Sequence, residues 1–309
     1  MVIIFRHPAP AGWRTGRAKR MRREGPREMA ETIRSHPHFV DAARRFTSDF
    51  LQWRAQLGVL NKVFSNLGRE RLLEHAIHLH FTRGEPGNGH GATFERLAAL
   101  SAARDQIGAR ATRTALRLAQ IAGLLLLTRS PDDARLRIFE PSDTLLAMTH
   151  DVYALTFRVF DDLAPDLGLS RRQSDDPGFL ADILGRLGRA FLRAEFRPQK
   201  KADVYNGLLR LEGGRVILAT AIDRHWRGQD LPTSQEIARQ FYVSPSQIRA
   251  VLKQAETLGL IRTAARGRLL DAGPLAEAYL VAFSRFLAVF AEHAFALEPE
   301  TFSAGAPNI

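Results

Sequence analysis

The sequence predicts a mainly α-helical protein with two helix-turn-helix units, each ending in a small β wing, joined and flanked by long helices. Three observations carry this expectation. Two capped helix starts stand close together at Thr233 and Ser244, with a basic hairpin after them. A looser version of the same succession lies earlier, from Thr93 to Phe139. Each version leads into a long helix with an apolar stripe.

Composition sets the outer bounds. The chain has 309 residues, of which 45% are hydrophobic, enough for two domains with real cores. The formal net charge of +11 points toward a polyanionic partner. There is no cysteine, which excludes disulfides, thiolate zinc sites, iron–sulfur clusters and thiol redox sensing, and fits a cytoplasmic location. No stretch reaches the ~18 consecutive apolar residues of a membrane span. The C-terminal apolar helix is interrupted by Arg285, Glu292 and His293, and the N-terminus lacks a signal-peptide core.

Residues 1–28 carry eight arginines and lysines against Glu24 and Glu28, interspersed with Pro8, Pro10, Gly12, Gly16, Gly25 and Pro26. This composition predicts a disordered basic arm. The arm either adds phosphate contacts or precedes a true start at Met29. From Phe39 to Leu67 apolar residues recur at helical spacing, as expected for a long helix or a helix pair. A helix from about Arg69 to Phe81 and the loop Thr82–Ala92 come next.

In the first unit Thr93 caps a helix through Leu100, and a second helix spans Gly108–Ala122 and ends at Gly123. Arg110, Arg113, Arg117 and Gln120 share one face of that second helix; Ala115, Leu118, Ala119 and Ala122 share the other. Leu124–Thr128 and Arg135–Phe139 read as strands, joined through the turn at 129–134. A helix from Thr144 to Ala164 follows, then a linker at 165–178 rich in Ser, Arg and Asp, then a helix over Phe179–Phe196.

The second unit is sharper. Thr233 with Glu236, and Ser244 with Gln247, form two capping-box patterns, in which a hydroxyl accepts an orphan N–H while the third residue reaches back. Pro245 sits just inside the second start, where its missing N–H costs nothing. Ile248, Val251, Leu252, Ala255 and Leu258 form the inner face, and Gly259 stops the helix. Ser246, Arg249, Ala250 and Lys253 point the other way. Leu260–Arg262 and Arg268–Leu270 read as a hairpin around a basic loop, the wing of a winged helix; the plainer alternative is a helical hairpin with a trailing turn. The final helix, Pro274–Leu297, carries Leu280, Phe283, Leu287, Phe290, Ala294 and Leu297 at coiled-coil-like spacing. That seam packs either within the chain or against a second copy.

Segments of the two units match in pattern. HAIHLHF at 75–81 parallels TAIDRHW at 220–226, and GLLLLT at 123–128 parallels GLIRTA at 259–264, which suggests an internal duplication. The offsets are 145 and 136, so the first unit is expected to carry a longer or extra helix between its first helix and its wing. The expected organisation is the arm (1–28), N-terminal helices with the first winged helix (29–164), the linker (165–178), a helix with the second winged helix and the long C-terminal helix (179–297), and a flexible tail (298–309).

Both units resemble winged helices, and their arrangement is similar to bacterial transcriptional regulators of the multiple-antibiotic-resistance (MarR) type. The resemblance covers about residues 70–164 and 207–296. That family's wing commonly has a D-x-R core; here the wings carry Asp132-Asp133-Ala134-Arg135 and Arg266-Gly267-Arg268. The resemblance implies a pseudo-dimer within one chain, addressing adjacent major grooves of double-stranded DNA.

The residues expected to contact DNA are Arg110, Arg113, Arg117 and Gln120 in the first unit, and Ser244, Ser246, Gln247, Arg249, Lys253, Arg262, Arg266 and Arg268 in the second. A plasmid replication initiator with tandem winged helices is the nearest alternative. A protein-docking module is another, favoured for the first unit by Asp132 and Asp133, which would repel phosphate. His75, His78, His80 and His90 lack the spacing and partner ligands of a tight metal set, so surface or interface roles are expected. GEPGNGHG at 84–91 lacks the Lys-Ser/Thr ending of a phosphate loop and reads as a flexible connection. No cofactor, metal or catalytic constellation is expected, and no residue pattern marks an effector.

Overall fold

A computed structural model of the chain describes residues 27–85, 88–193, 204–264 and 268–302. It is mainly helical, with two separate antiparallel hairpins. The elements in order are α1 (27–35), α2 (Phe39–Gln56), α3 (Leu67–Phe81), α4 (Phe94–Leu100), α5 (Ala109–Ile121), β1 (Leu125–Arg129), β2 (Arg137–Pro141), α6 (Asp143–Leu163), α7 (Leu169–Asp175) and α8 (Phe179–Leu192). They continue with α9 (Val204–Leu209), α10 (Gly214–Trp226), α11 (Ser234–Phe241), α12 (Pro245–Thr257), β3 (Arg262–Thr263), β4 (Leu269–Asp271) and α13 (Gly273–Phe290). One succession, helix–helix–helix–hairpin–helix, therefore occurs twice: α3 to α6 and α10 to α13.

Local chemistry fixes the starts and stops. The Thr93 hydroxyl accepts from the Arg96 N–H, and Ser142 from the Leu145 N–H, so α4 and α6 begin where a side chain satisfies an orphan donor. Both capping boxes of the second unit close, with the Thr233 N–H donating to Glu236 at 2.7 Å and the Ser244 N–H to Gln247 at 2.8 Å. The Thr233 backbone and side-chain hydrogen bonds hold the Glu236 carboxyl below its usual range. Gly123 and Gly259 both stand at φ +70°, and the Leu124 and Leu260 N–H groups each reach back to a carbonyl five residues earlier, at 2.9 Å. That closure needs a left-handed residue, which glycine supplies without strain.

α3 and α10 are the inner helices of their units. Leu72, Leu73, Ala76 and Ile77 correspond, 145 residues on, to Ile217, Leu218, Ala221 and Ile222, and all eight are buried. Around α3, one core gathers Leu97, Leu116, Ala119, Leu124, Phe139, Leu145 and Leu184. A larger core joins α1 and α2 to the C-terminal half of α6, to α8, and to the whole second unit through Phe39, Phe160, Ile183, Ile222, Phe283 and Leu287. The expected division at 165–178 is thus not a boundary in the packing.

Several expectations need correction. The linker at 165–178 is mostly helical: Pro165–Leu167 forms a 3-10 turn and α7 follows, with Leu169 and Gln173 buried. The Asp161 carboxylate accepts the Leu169 and Ser170 N–H groups at 2.7 and 2.9 Å, so a side chain of α6 caps the start of α7. The expected tail is anchored at its start, Pro299–Phe302, where Phe302 is buried against Phe160; residues 303–309 lie outside the described residues. The basic arm lies outside the described residues up to 26; Arg27 and Glu28 already belong to α1, which buries Met29, Ala30 and Ile33. The loop after α3 is held by Asn88, fully buried, which donates to the Leu79 carbonyl and the Thr82 hydroxyl. The last helix stops at Phe290, then makes a wider turn over Ala291–Phe295 that ends at left-handed Ala296. Its seam residues Leu280, Phe283, Leu287, Phe290 and Ala294 are buried within the chain. By length and composition, Gly273–Phe295 is apolar enough to cross a membrane, but half of that window is buried against the other helices.

Candidate nucleic-acid interface

α5 and α12 are equal in length and are bounded by the same backbone turns, although α12 alone has a side-chain cap. Each follows a left-handed residue, Gln106 at φ +58° or Tyr242 at φ +56°, then an apolar residue, then an extended N-cap, Gly108 or Ser244. Each closes on the glycine turn described above. From turn to cap the separation is a constant 136 residues. Thr112 and Ile248 are both fully buried at equivalent positions, as are Ala119 and Ala255. The outward residues are therefore equivalent too: Arg110 with Ser246, Arg113 with Arg249, Arg117 with Lys253, and Gln120 with Glu256.

Six of these side chains, Arg110, Arg113, Arg117, Ser246, Arg249 and Lys253, are exposed. Among the described residues none of the five cations has an ion-pair partner. Arg113 lies over the Phe94 ring, 4.7 Å from its centroid. Gln120 is half-buried. Ser244 and Gln247 are occupied with the capping box, which makes them positioners of α12 with few donors left for a ligand. Arg268 is exposed on the second hairpin, Arg262 lies 3.8 Å from Asp271, and Arg266 lies outside the described residues. Leu258, expected on the inner face, is 42% exposed because it sits at the helix's closing turn.

The hairpins are tied to their helices. The Thr263 hydroxyl and N–H donate to Glu256, which fixes β3 against α12 and occupies the carboxylate. In the first unit Glu140 accepts from Thr128 at 2.9 Å and pairs with Arg83. The first hairpin also makes one bridge to Thr93, between Thr93 and Ile138. Its tip carries Arg129, Asp132, Asp133, Arg135 and Arg137, of mixed sign. Ile121 (78% exposed), Leu126 (51%) and Leu127 (41%) are exposed apolar residues of this unit, the last two on opposite faces of β1.

The two units are joined at the N-terminal ends of α3 and α10, and here both turns are positioned. Gly68 and Gly213 occupy equivalent places, 145 residues apart. A Cβ on Gly68 would meet Ile107 at 2.6 Å, and one on Gly213 would meet Val243 at 2.9 Å. In both units the apolar turn residue thus seats directly on a glycine at the start of the inner helix, within α3 or capping α10. The Gly213 N–H donates to the Ser65 carbonyl, Glu212 accepts from Ser65, Asn66 and Arg69, and the Arg210 guanidinium donates to the Asp105 carbonyl at 2.8 Å. Glu70 and Arg215, themselves equivalent positions, form an ion pair at 3.0 Å. Arg54, 2% exposed, completes the cluster at 2.8 Å from Glu70.

Sequence reasoning missed this junction, because Arg54, Glu70 and Arg215 lie on three separate helices and no local spacing links them. It also treated the histidines as surface or interface groups. His75 is instead buried and hydrogen-bonded to Asp105 at 2.7 Å; with Arg71 it holds the Asp105 carboxyl below its usual range, outweighing burial, which acts the other way. His78 lies against the Phe191 ring, and burial lowers its pKa to about 3. A cavity of ≈ 100 Å³ lies between α2, α3 and α6, lined by Trp53, Ile77, Met148 and Tyr153, with Glu74 and Arg215 on its wall. Among the described residues, no group of three or more potential ligands is placed to hold a metal. In comparison with protein-family models, with curated proteins and with solved structures, the chain matches none.

Proposed function

We propose that the chain is a sequence-specific double-stranded DNA-binding regulator of transcription, using two winged-helix units as a pseudo-dimer. The observation that carries this reading is the equivalence of α5 and α12: the same left-handed turn before them, the same glycine closure after them, and basic side chains at equivalent outward positions that have no ion-pair partner among the described residues. Arg113 with Arg249, and Arg117 with Lys253, supply the sequence-independent attraction to phosphate and the donors that read base edges in a major groove. Residues beside a two-fold axis contact their own counterparts, and Glu70 against Arg215 has that character. A two-fold relation between the units calls for an inverted repeat in the DNA.

Genomic-fragment binding selection with the full purified chain, at near-physiological salt, tests the reading. Enrichment of one short, nearly palindromic site close to promoters is the expected result. Enrichment of repeated sites at a replication origin would make the chain an initiator. Absence of any enriched sequence, with weak binding that vanishes in salt, would overturn DNA reading altogether.

A second reading rests on the first unit alone. Asp132 and Asp133 would repel phosphate, and exposed apolar side chains at Ile121, Leu126 and Leu127 offer anchors for a protein contact. In that case the second unit binds DNA and the first docks a partner. Arg113→Ala would then leave DNA affinity unchanged, whereas Arg249→Ala would abolish it.

A further inference from the structure

Resting on that reading of α5 and α12 as the DNA-facing helices, we infer that the two units address unequal half-sites, and that Arg110 and Ser246 set the difference. Because both helices start from the same turn geometry and keep a constant separation of 136 residues, each outward side chain has one counterpart. Two of the outward pairs keep their charge, Arg113 with Arg249 and Arg117 with Lys253. The pair in the first turn does not, and neither does the last pair, Gln120 with Glu256, where Glu256 is tied to Thr263 of the hairpin.

First-turn residues of a recognition helix are those that reach base edges. Arginine there makes a paired contact with the O6 and N7 of guanine, while serine accepts either base. The surroundings sharpen the contrast. Arg110 lies two residues after a glycine N-cap, which has no hydroxyl to draw it back, and it is exposed. Ser246 is drawn back into the cap, its hydroxyl 2.9 Å from that of Ser244. One turn further on, Arg113 is steadied by the Phe94 ring, the residue that follows the Thr93 cap. In the second unit the residue following the Thr233 cap is Ser234, which offers Arg249 no ring from that position. The first unit is therefore the more exacting reader, requiring guanine at one position, and the second tolerates any base at the symmetric position.

The test is binding selection with the full chain, its Arg110→Ser variant and its Ser246→Arg variant, scoring the two half-sites separately. The wild type is expected to return an imperfect inverted repeat with guanine fixed in one half. Arg110→Ser should lose that preference and bind the guanine-containing site at least tenfold more weakly. Ser246→Arg should fix guanine in both halves and return a symmetric site. A wild-type site with guanine equally fixed in both halves would overturn the inference while leaving DNA binding intact. So would an Arg110→Ser variant that binds all sequences more weakly without any change in preference, the mark of a phosphate contact. No enrichment with any of the three proteins would instead remove the DNA reading on which the inference stands.

Discussion

Replacing Glu70 with glutamine should be the most destabilising conservative change at the junction between the units. Glu70 is 7% exposed and accepts from Arg54 at 2.8 Å and from Arg215 at 3.0 Å. Arg54 is held in place by two further bonds, to the Asn61 side chain at 2.7 Å and to the Phe64 carbonyl at 2.8 Å, so it cannot swing out to water. Glutamine keeps the shape and one acceptor but removes the negative charge, leaving a buried guanidinium without its counter-charge. Breaking a buried pair from one side costs about 3–5 kcal/mol, a large part of the ~5–15 kcal/mol that holds a typical fold. In equilibrium urea unfolding, with a slope of ~3 kcal/mol per M, the midpoint should fall by on the order of 1 M. The double variant Glu70→Gln with Arg54→Met should be less destabilised than the two single variants added together, because it removes the stranded charge as well. A Glu70→Gln protein within ~1 kcal/mol of wild type, or strict additivity in the double variant, would refute the reasoning.

Two further predictions concern the fold around the proposed interface. His78 is neutral when folded, with its pKa lowered to about 3, whereas an unfolded histidine protonates near 6.5. The unfolded chain therefore takes up a proton that the native state refuses, and this contribution to stability is complete above pH ~6.5 and falls by up to ~1.4 kcal/mol per pH unit below it. Unfolding curves from pH 7 to 4.5 should show this slope in wild type relative to His78→Gln; identical slopes would count against the burial argument. Gly213→Ala places a Cβ 2.9 Å from Val243 and from Ile217 at φ +76°, and should cost about 1–3 kcal/mol in thermal or urea unfolding. Because Val243 seats the turn before α12, the variant should also weaken DNA binding under conditions where it remains folded; unchanged stability and affinity would show that the turn is set elsewhere.

Much of the helical layout was legible because it rests on short-range chemistry. Thr233, Glu236, Ser244, Gln247 and Gly259 state their roles locally, and the caps and stops fall within about a residue of where the patterns place them. The hairpins were shifted by one or two residues, since a strand end depends on its partner's register, as at the irregular pairing of Arg262 and Thr263 with β4. What was not legible is tertiary. The Asp161 carboxylate turned a loop-like stretch into α7 by capping from eight residues away. Phe302 is buried by Phe160, far away in sequence. The equivalence of Gly68 with Gly213 and of Glu70 with Arg215 is present in the sequence at the same 145-residue separation as the HAIHLHF match. Without contacts, a glycine pair and a Glu–Arg pair carry no pattern to notice. For the candidate interface, periodicity separated Arg110, Arg113 and Arg117 from the inner face, but it could not show that Ser244 and Gln247 are used up in capping.

The central claim is that α5 and α12 engage one DNA site together. It is tested most directly by the affinity of the full chain, Arg113→Ala and Arg249→Ala for one selected duplex across a salt series. If both helices bind, each variant should weaken binding, either by ~1–3 kcal/mol at one base position or uniformly with a salt slope lower by about one. If Arg113→Ala matches wild type in both affinity and slope while Arg249→Ala does not, only the second unit meets DNA and the account of a pseudo-dimer is wrong.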